Sequence, residues 1–309
     1  MYRTSRHASK TRLVRTTGLA FISVLLLLLV IVGAVGWVAS ERALRPDIGG
    51  SASTLNDYPE LQAESISFES QTGIELDGRF FAGTGDAAVI LLHGFSEGED
   101  QMLPHALFLN DAGFHVLTYN ARHPDQYGDR VYSTLGAQER LDLVSAVDFL
   151  ASRPGVNPER IGVYGSSLGG ATAILGGALD ARLRAIAAEG AFSDGDSVID
   201  SSFERYIGLP AFPFGPAARQ IAEWRAGAQL DDARPVDAIA LIDDSPVLLI
   251  HGLDDESVPP SHSERNLAAA GENVDVWWVP GAGHVDAYQI APDEYAERLV
   301  TFFDNALRQ

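Results

Sequence analysis

The chain of 309 residues carries 42 acidic and 22 basic side chains, a formal charge of −20 at neutral pH, and no cysteine. The missing thiols exclude a disulfide framework, a thiolate nucleophile and a cysteine-ligated metal in one observation. All 42 acids but only 17 of the bases follow Ser40, so that part of the chain carries −25. A surface this negative repels phosphate backbones, and nucleic acid is not an expected partner.

The chain opens on Arg3, Arg6, Lys10, Arg12 and Arg15, and an uncharged stretch from Gly18 to Ala39 follows. At 1.5 Å per residue these 22 residues extend about 33 Å, close to the roughly 30 Å hydrocarbon thickness of a bilayer. The sequence therefore predicts a basic tail over 1–17 and a membrane-spanning helix over 18–39. The bias of positive charge puts the N-terminus in the cytoplasm and everything after Ser40 outside the cell membrane. The competing reading is a cleavable signal ending at Val38-Ala39-Ser40, which would release a secreted protein, although the apolar stretch exceeds the usual core of such signals. Residues 40–60, with RPDIGGSAS at their centre and no apolar period, read as a linker to a domain over 61–309.

That domain begins with SISFES and ELDGRFF, alternating segments around Gln71-Thr72-Gly73 that predict a β-hairpin. Short apolar runs at 89–92, 115–119, 161–164, 185–188, 247–250 and 274–279 then alternate with longer helical stretches. This is the pattern of an α/β fold with a doubly wound, mostly parallel sheet. Over 138–151, Leu141, Val144, Ala146, Val147 and Leu150 form a helical stripe, and the opposite face carries Glu139, Arg140 and Asp142. The interval 193–244 breaks the alternation and gathers Phe203, Tyr206, Phe212, Phe214 and Trp224 among prolines and charges. It reads either as a helical lid over a substrate pocket or as an insertion whose aromatics fill their own small core.

Residues 161–170 read IGVYGSSLGG, an apolar run entering a glycine-flanked serine and then a helical stretch. A serine hydroxyl attacks poorly at neutral pH and needs a sharp strand-to-helix turn that lifts it toward a base. Ser167 is the candidate nucleophile, with Gly165 and Gly169 permitting close approach of strand and helix. The Leu168 N–H, unpaired in the first helical turn, is one candidate oxyanion donor. The run VILLHGF supplies the Phe95 N–H as the second, with Gly94 turning the backbone inward. Downstream, one strand ends in His251-Gly252-Leu253-Asp254-Asp255 and the last in Pro280-Gly281-Ala282-Gly283-His284. His284 is the candidate base, and Asp254 or Asp255 the carboxylate that would orient it.

Taken together, VILLHGF, RIGVYGSSLGG, HGLDDESVP and PGAGH resemble the segments around the oxyanion loop, nucleophile, acid and base of the α/β-hydrolase superfamily, over nearly all of 65–307. The likeness is greatest to bacterial membrane-anchored or secreted esterase-like hydrolases, some of them prolyl-oligopeptidase-like. The resemblance implies an α/β-hydrolase fold with a lid insertion over 193–244. It also implies a triad of Ser167, Asp255 and His284, because the family's acid lies three residues after the strand-end HG and three before the valine of VP. The implied activity is hydrolysis of carboxylic esters through an acyl-enzyme. Peptidase or amidase and acyl-protein thioesterase activities use the same machinery, and a binding protein that kept only the fold is the alternative from another class. One segment departs from the family: where relatives carry an Asp-x-Arg-Gly-x-Gly-like turn, this chain has Asn120-Ala121-Arg122-His123-Pro124-Asp125, so the loop there is expected to differ in shape.

No cofactor or metal is expected. There is no His-Glu-x-x-His, and Asp231-Asp232 and Asp243-Asp244 read as solvated loop charges. His7 falls in the basic tail, His105, His115, His123 and His262 fit surface or packing roles, and His93 and His251 are placed to brace loops. Trp277 and Trp278 alternate on a strand and read as core packing on opposite faces. The expected partners are a small ester or acyl substrate and, through the N-terminal helix, a membrane.

Overall fold

The computed structural model describes the backbone of residues 5–49 and 53–308 and, within these, the side chains from Thr17 onward except that of Tyr206, an aromatic of the 193–244 interval that lies outside the described residues. Arg3 of the basic tail, the side chains of its other cations and of His7, and 50–52 of the expected linker lie outside the described residues. The chain divides into two compact units, one built from Arg42–Val198 and Ala226–Gln309, the other from Met1–Glu41 and Ile199–Arg225.

The larger unit is organised by eight strands: β1 (Ala63–Glu69), β2 (Glu75–Phe81), β3 (Ala88–Leu92), β4 (His115–Tyr119), β5 (Ile161–Ser166), β6 (Leu183–Glu189), β7 (Val247–Gly252) and β8 (Val274–Val279). Their order in the sheet is β1-β2-β4-β3-β5-β6-β7-β8. From β4 across to β8 the neighbours are parallel, and the β1–β2 hairpin joins β4 antiparallel. Every residue of β3, β4 and β5 is buried, which is why these strands read as continuous apolar runs rather than as alternating ones. The edges differ: β1 exposes Glu64 and Glu69, and β8 exposes Asp275.

The helices are α1 (Ser5–Leu44), α2 (Leu103–Asp111), α3 (Pro124–Tyr127), α4 (Glu139–Ala151), α5 (Leu168–Leu179), α6 (Gly195–Ser202), α7 (Ala211–Ala226), α8 (Pro235–Ile239), α9 (Ser261–Ala269), α10 (Ala287–Ile290) and α11 (Pro292–Leu307). On one sheet face Leu143, Val147 and Leu150 of α4, Ile174 of α5 and Ile239 of α8 bury Ile90, Leu117, Val163 and Ile186. On the other, Leu103 and Leu109 of α2 and Tyr295, Leu299 and Phe303 of α11 cover Val89, Val116 and Tyr164. These two apolar layers are the core.

The polar face of α4 is largely turned inward. Asp142 and Glu139 are buried. Arg122 donates from Nε and Nη2 to Asp142 at 2.6 and 2.8 Å, and its Nη1 donates to Gln138 at 2.7 Å. The Ser70 hydroxyl donates to the same carboxylate, and Thr72 accepts from Arg122, so the hairpin turn is tied to α4. Glu139 accepts from Thr134 N–H at 2.8 Å and Gly136 N–H at 3.0 Å. Asp142 is thus paired with a buried cation and Glu139 is satisfied by neutral donors, as burial demands.

The same cluster shapes the glycine-free segment after β4. Ala121 N–H donates to His93 Nε2 at 2.9 Å, and His123 Nε2 lies 2.7 Å from the Pro46 carbonyl. The stretch expected to be a linker also differs from that reading: α1 continues to Leu44, Ser133 N–H donates to the Leu44 carbonyl at 3.2 Å, and Gly49 N–H donates to Ser96 at 2.9 Å. Backbone hydrogen bonds hold 44–49, and these leave no apolar period in the sequence.

In the smaller unit, Ala39, Phe203 and Ala218 form a core with Val35, Ile199 and Phe214, whereas Phe212 and Trp224 remain exposed. The α1 segment Thr17–Leu44 has a mean hydropathy of 3.0 in its most apolar window, none of which is buried.

His105, His115, His123 and His262 are all buried. His105 stacks on Tyr164 with ring centroids 4.8 Å apart, and neither ring nitrogen has a hydrogen-bond partner among the described residues. Burial pushes its pKa from 6.5 down to about 3. The folded state thus resists a proton that the unfolded chain accepts, so stability present above pH 6.5 is lost as the pH falls toward 3. Between pH 7 and pH 5 this ring costs about 2 kcal/mol. His105→Phe is therefore expected to flatten the acid loss of stability by that amount, measured by urea unfolding of the full-length protein in detergent at the two pH values.

Candidate active site

Ser167 sits between β5 and α5 at φ 53° and ψ −114°, a conformation that side chains of L-residues rarely adopt. It is held there by contacts on both flanks. A Cβ on Gly165 would lie 2.1 Å from the Gly169 carbonyl oxygen, and one on Gly169 would lie 2.3 Å from that of Leu92 at the end of β3. Ser167 N–H donates to the Glu189 carbonyl at 2.7 Å, continuing the β5–β6 ladder through the turn. The turn lifts the hydroxyl off the sheet at the C-terminal ends of parallel strands, where open α/β sheets gather their sites.

His284 follows β8 and reaches that hydroxyl. Its Nε2 lies 2.9 Å from Ser167 Oγ, and its Nδ1 lies 2.7 Å from Asp255 Oδ2. With the proton on Nδ1, Nε2 is free to accept from the serine. The loop carrying His284 closes onto β7 because Gly252 leaves room: a Cβ there would lie 2.3 Å from the Ala282 carbonyl oxygen. Asp255 is buried, and its Oδ1 accepts from Ser257 N–H at 2.9 Å and Val258 N–H at 2.8 Å. Burial raises its pKa, but hydrogen bonds from His251 and His284, the charge of His284 and the Val258 N–H outweigh that and hold the carboxyl well below its usual range. Asp254 is exposed on the same turn, so it is Asp255 that meets the imidazole.

Phe95 packs against the cluster of Leu168, Ala171, Phe192 and Val258, which brings the loop after β3 beside the first turn of α5. Among the described residues, neither the Phe95 nor the Leu168 N–H has a hydrogen-bond partner in the loops. His93 and His251 brace loops: His93 Nδ1 lies 2.8 Å from the Gly94 carbonyl, and His251 Nε2 lies 2.8 Å from the Val258 carbonyl. Trp277 and Trp278 are only half-buried, because β8 is an edge strand; Trp278 packs 6.1 Å from His251 and Trp277 5.8 Å from Tyr295. A cavity of about 20 Å³ beneath Leu168 and Gly169, lined by Tyr119, Glu139 and Asp142, has room for about one water molecule rather than a substrate. Among the described residues, no group of three or more His, Asp or Glu side chains is placed to hold a metal ion.

Two residues that sequence reasoning missed connect these parts. Gln101 Oε1 accepts from Gly94 N–H at 2.8 Å and from Ser166 Oγ at 3.1 Å, fastening the loop after β3 to the serine turn. Nothing in the polar run SEGEDQ distinguishes it. Glu189 closes β6, and burial raises its pKa against the hydroxyls of Tyr295 and Tyr164, which donate to it at 2.6 and 2.9 Å. Its other oxygen accepts from Ala287 N–H at 3.2 Å, just beyond His284. A lone acid ending the apolar run AIAAE was the available signal.

Comparison with known proteins agrees with this architecture. The description of the prolyl oligopeptidase family matches residues 102–309, which include Ser167, Asp255 and His284. Protein YfhR of Escherichia coli O157:H7 is 29% identical over 255 residues, spanning 79% of this chain and 82% of that protein. Among solved structures, the Pyrococcus furiosus esterase Pf2001 superposes with a TM-score of 0.68 at 24% identity, covering 85% of this chain and 99% of that one. A puromycin-hydrolyzing peptidase of Mycobacterium tuberculosis gives 0.62 at 20% identity, covering 80% of this chain and 39% of that one. These structures establish the α/β-hydrolase fold.

Because one amide oxygen of Gln101 satisfies two polar groups, Gln101→Leu is expected to destabilise the protein by about 1–3 kcal/mol. The surface variant Gln62→Leu should stay within about 0.5 kcal/mol. Urea unfolding of the two variants side by side tests the difference.

Proposed function

The chain belongs to the prolyl oligopeptidase family, and from that premise we propose that it is a serine hydrolase that cleaves carboxylic esters, with Ser167 as nucleophile, His284 as base and Asp255 as the orienting acid. His284 Nε2 takes the hydroxyl proton as Oγ attacks the acyl carbon. Ionised Asp255 fixes the tautomer and stabilises the imidazolium that forms, while the N–H groups of Phe95 and Leu168 receive the oxyanion. The alkoxide leaves with the proton from His284, and water, activated by the same ring, releases the acid. The observation that carries this reading is the single imidazole spanning Ser167 at 2.9 Å and Asp255 at 2.7 Å.

An ester is preferred because an alkoxide leaves more readily than an amine, and because the match to the Pf2001 esterase spans 99% of that chain. A peptidase or amidase is the second reading. It is favoured by the family to which the chain belongs and by the likeness to the puromycin-hydrolyzing peptidase.

The proposal includes an anchor over 18–39 with a cytoplasmic N-terminus and a hydrolase domain over 61–309 beyond the membrane. Its support is the exposed apolar helix preceded by a run of cations.

Ser167→Ala is expected to abolish fluorophosphonate labelling and p-nitrophenyl acetate hydrolysis; retained labelling would move the nucleophile elsewhere. Asp255→Asn should lower turnover by about 10⁴-fold, whereas Asp254→Asn should leave it within a few-fold. A p-nitroanilide hydrolysed faster than the matching ester would exchange the first reading for the second.

A further inference from the structure

We propose that α7 is a membrane-seated helix, lying in the head-group layer of the bilayer beside α1. This rests on the reading of 18–39 as a membrane anchor.

The depth follows from where α7 meets α1. A Cβ on Gly36 would lie 3.1 Å from the Ala217 Cβ and the Ala218 N, so the two helices touch backbone to backbone there. Gly36 is three residues inside the C-terminal end of the 18–39 stretch, about 4.5 Å along the helix axis. If that stretch fills the hydrocarbon, the helix resting on Gly36 lies at the outer boundary and not in bulk water. Amphipathic surface helices occupy that level, with their apolar side about 5–10 Å into the head-group and acyl boundary.

The chemistry of the exposed side agrees. Gly215, Ala218 and Ala222 form the buried stripe of α7. The exposed positions are Phe212, at a non-helical kink near the start of α7, and Pro216, Gln220 and Trp224, each four residues from the next along the helix; none is charged. Phe212 is 79% exposed and Trp224 74% exposed, an apolar display that a water-facing helix does not sustain. The helix's charges are drawn into pairs: Arg219 lies 3.3 Å from Glu223, and Arg225 pairs with Glu41. Arg225 also donates to Ser40 Oγ at 3.1 Å and lies over the Trp37 ring at 4.7 Å. Trp37 and Trp224 stand 6.5 Å apart. Two tryptophans and an arginine at the end of a membrane helix are the composition of an interfacial belt.

The cysteine-free chain allows single labels. Full-length Phe212→Cys, Trp224→Cys and Leu27→Cys, each carrying an NBD fluorophore, are reconstituted into phosphatidylcholine and phosphatidylglycerol vesicles. The lipids bear doxyl quenchers either near the head group or near the chain end. The head-group quencher should lower emission at positions 212 and 224 roughly twofold and the deep quencher should do little, while position 27 shows the reverse order. Quenching at 27 with water-like, unquenched emission at 212 and 224 would overturn the seating of α7 and leave the anchor standing. Blue-shifted but unquenched emission at 212 and 224 would overturn it in favour of a protein cover, such as a second copy. Unquenched emission at all three positions would remove the anchor reading and the proposal with it.

Discussion

The site depends on one backbone constraint: a serine kept at positive φ between a strand and a helix. Such a residue relaxes unless its neighbours hold it in place, and here they do. Gly165 and Gly169 are pressed together at distances that no Cβ tolerates, and Gly169 is pressed in turn against the end of β3. The contact that holds Ser167 in its turn therefore also brings the loop carrying Phe95 alongside Leu168. Closure of the β8 loop onto Gly252 then supplies the imidazole. Three chain segments distant in sequence converge because Gly165 and Gly252 at strand ends and Gly169 in the first turn of α5 permit backbone to pack on backbone.

Around this constraint the protein spends polar groups freely inside the fold. Arg122 with Asp142, Glu189 with two tyrosines, and Asp255 with two histidines are buried sets, each satisfied by hydrogen bonds. Removing one member of such a set leaves its partners desolvated and unpaired, which costs more than the set contributes when complete. Each joins elements far apart in the chain: the hairpin to α4, β6 to α10, and the turn after β7 to the loop after β8. They fix geometry in places where apolar packing alone would allow slippage.

Much of this architecture was legible because it rests on local patterns. The apolar runs located every parallel strand to within a few residues, since a strand buried on both faces must be apolar throughout. Ser167, Asp255 and His284 stood out because each belongs to a short motif at a strand end. What stayed hidden depends on pairing across the chain. The burial of Asp142 could not be read from the helix pattern, because its partner Arg122 lies 20 residues away and Ser70 lies 72 residues away. Gln101 reads as one polar loop residue among several, since its two donors, Gly94 and Ser166, meet only in the fold. The half-exposure of Trp277 and Trp278 depended on β8 being last in the sheet, which no window along the sequence reports.

That open sheet also has to avoid recruiting other chains. Its free strand at one end exposes two carboxylates, one of them, Glu64, bridged to Arg153, and the free strand at the other end turns Asp275 outward. A strand approaching either rim from a neighbouring copy would set like charges against each other, and the whole molecule is already strongly anionic. Such rims act as a standing barrier to cross-β assembly. The acidity that first set aside nucleic acid thus also protects against aggregation.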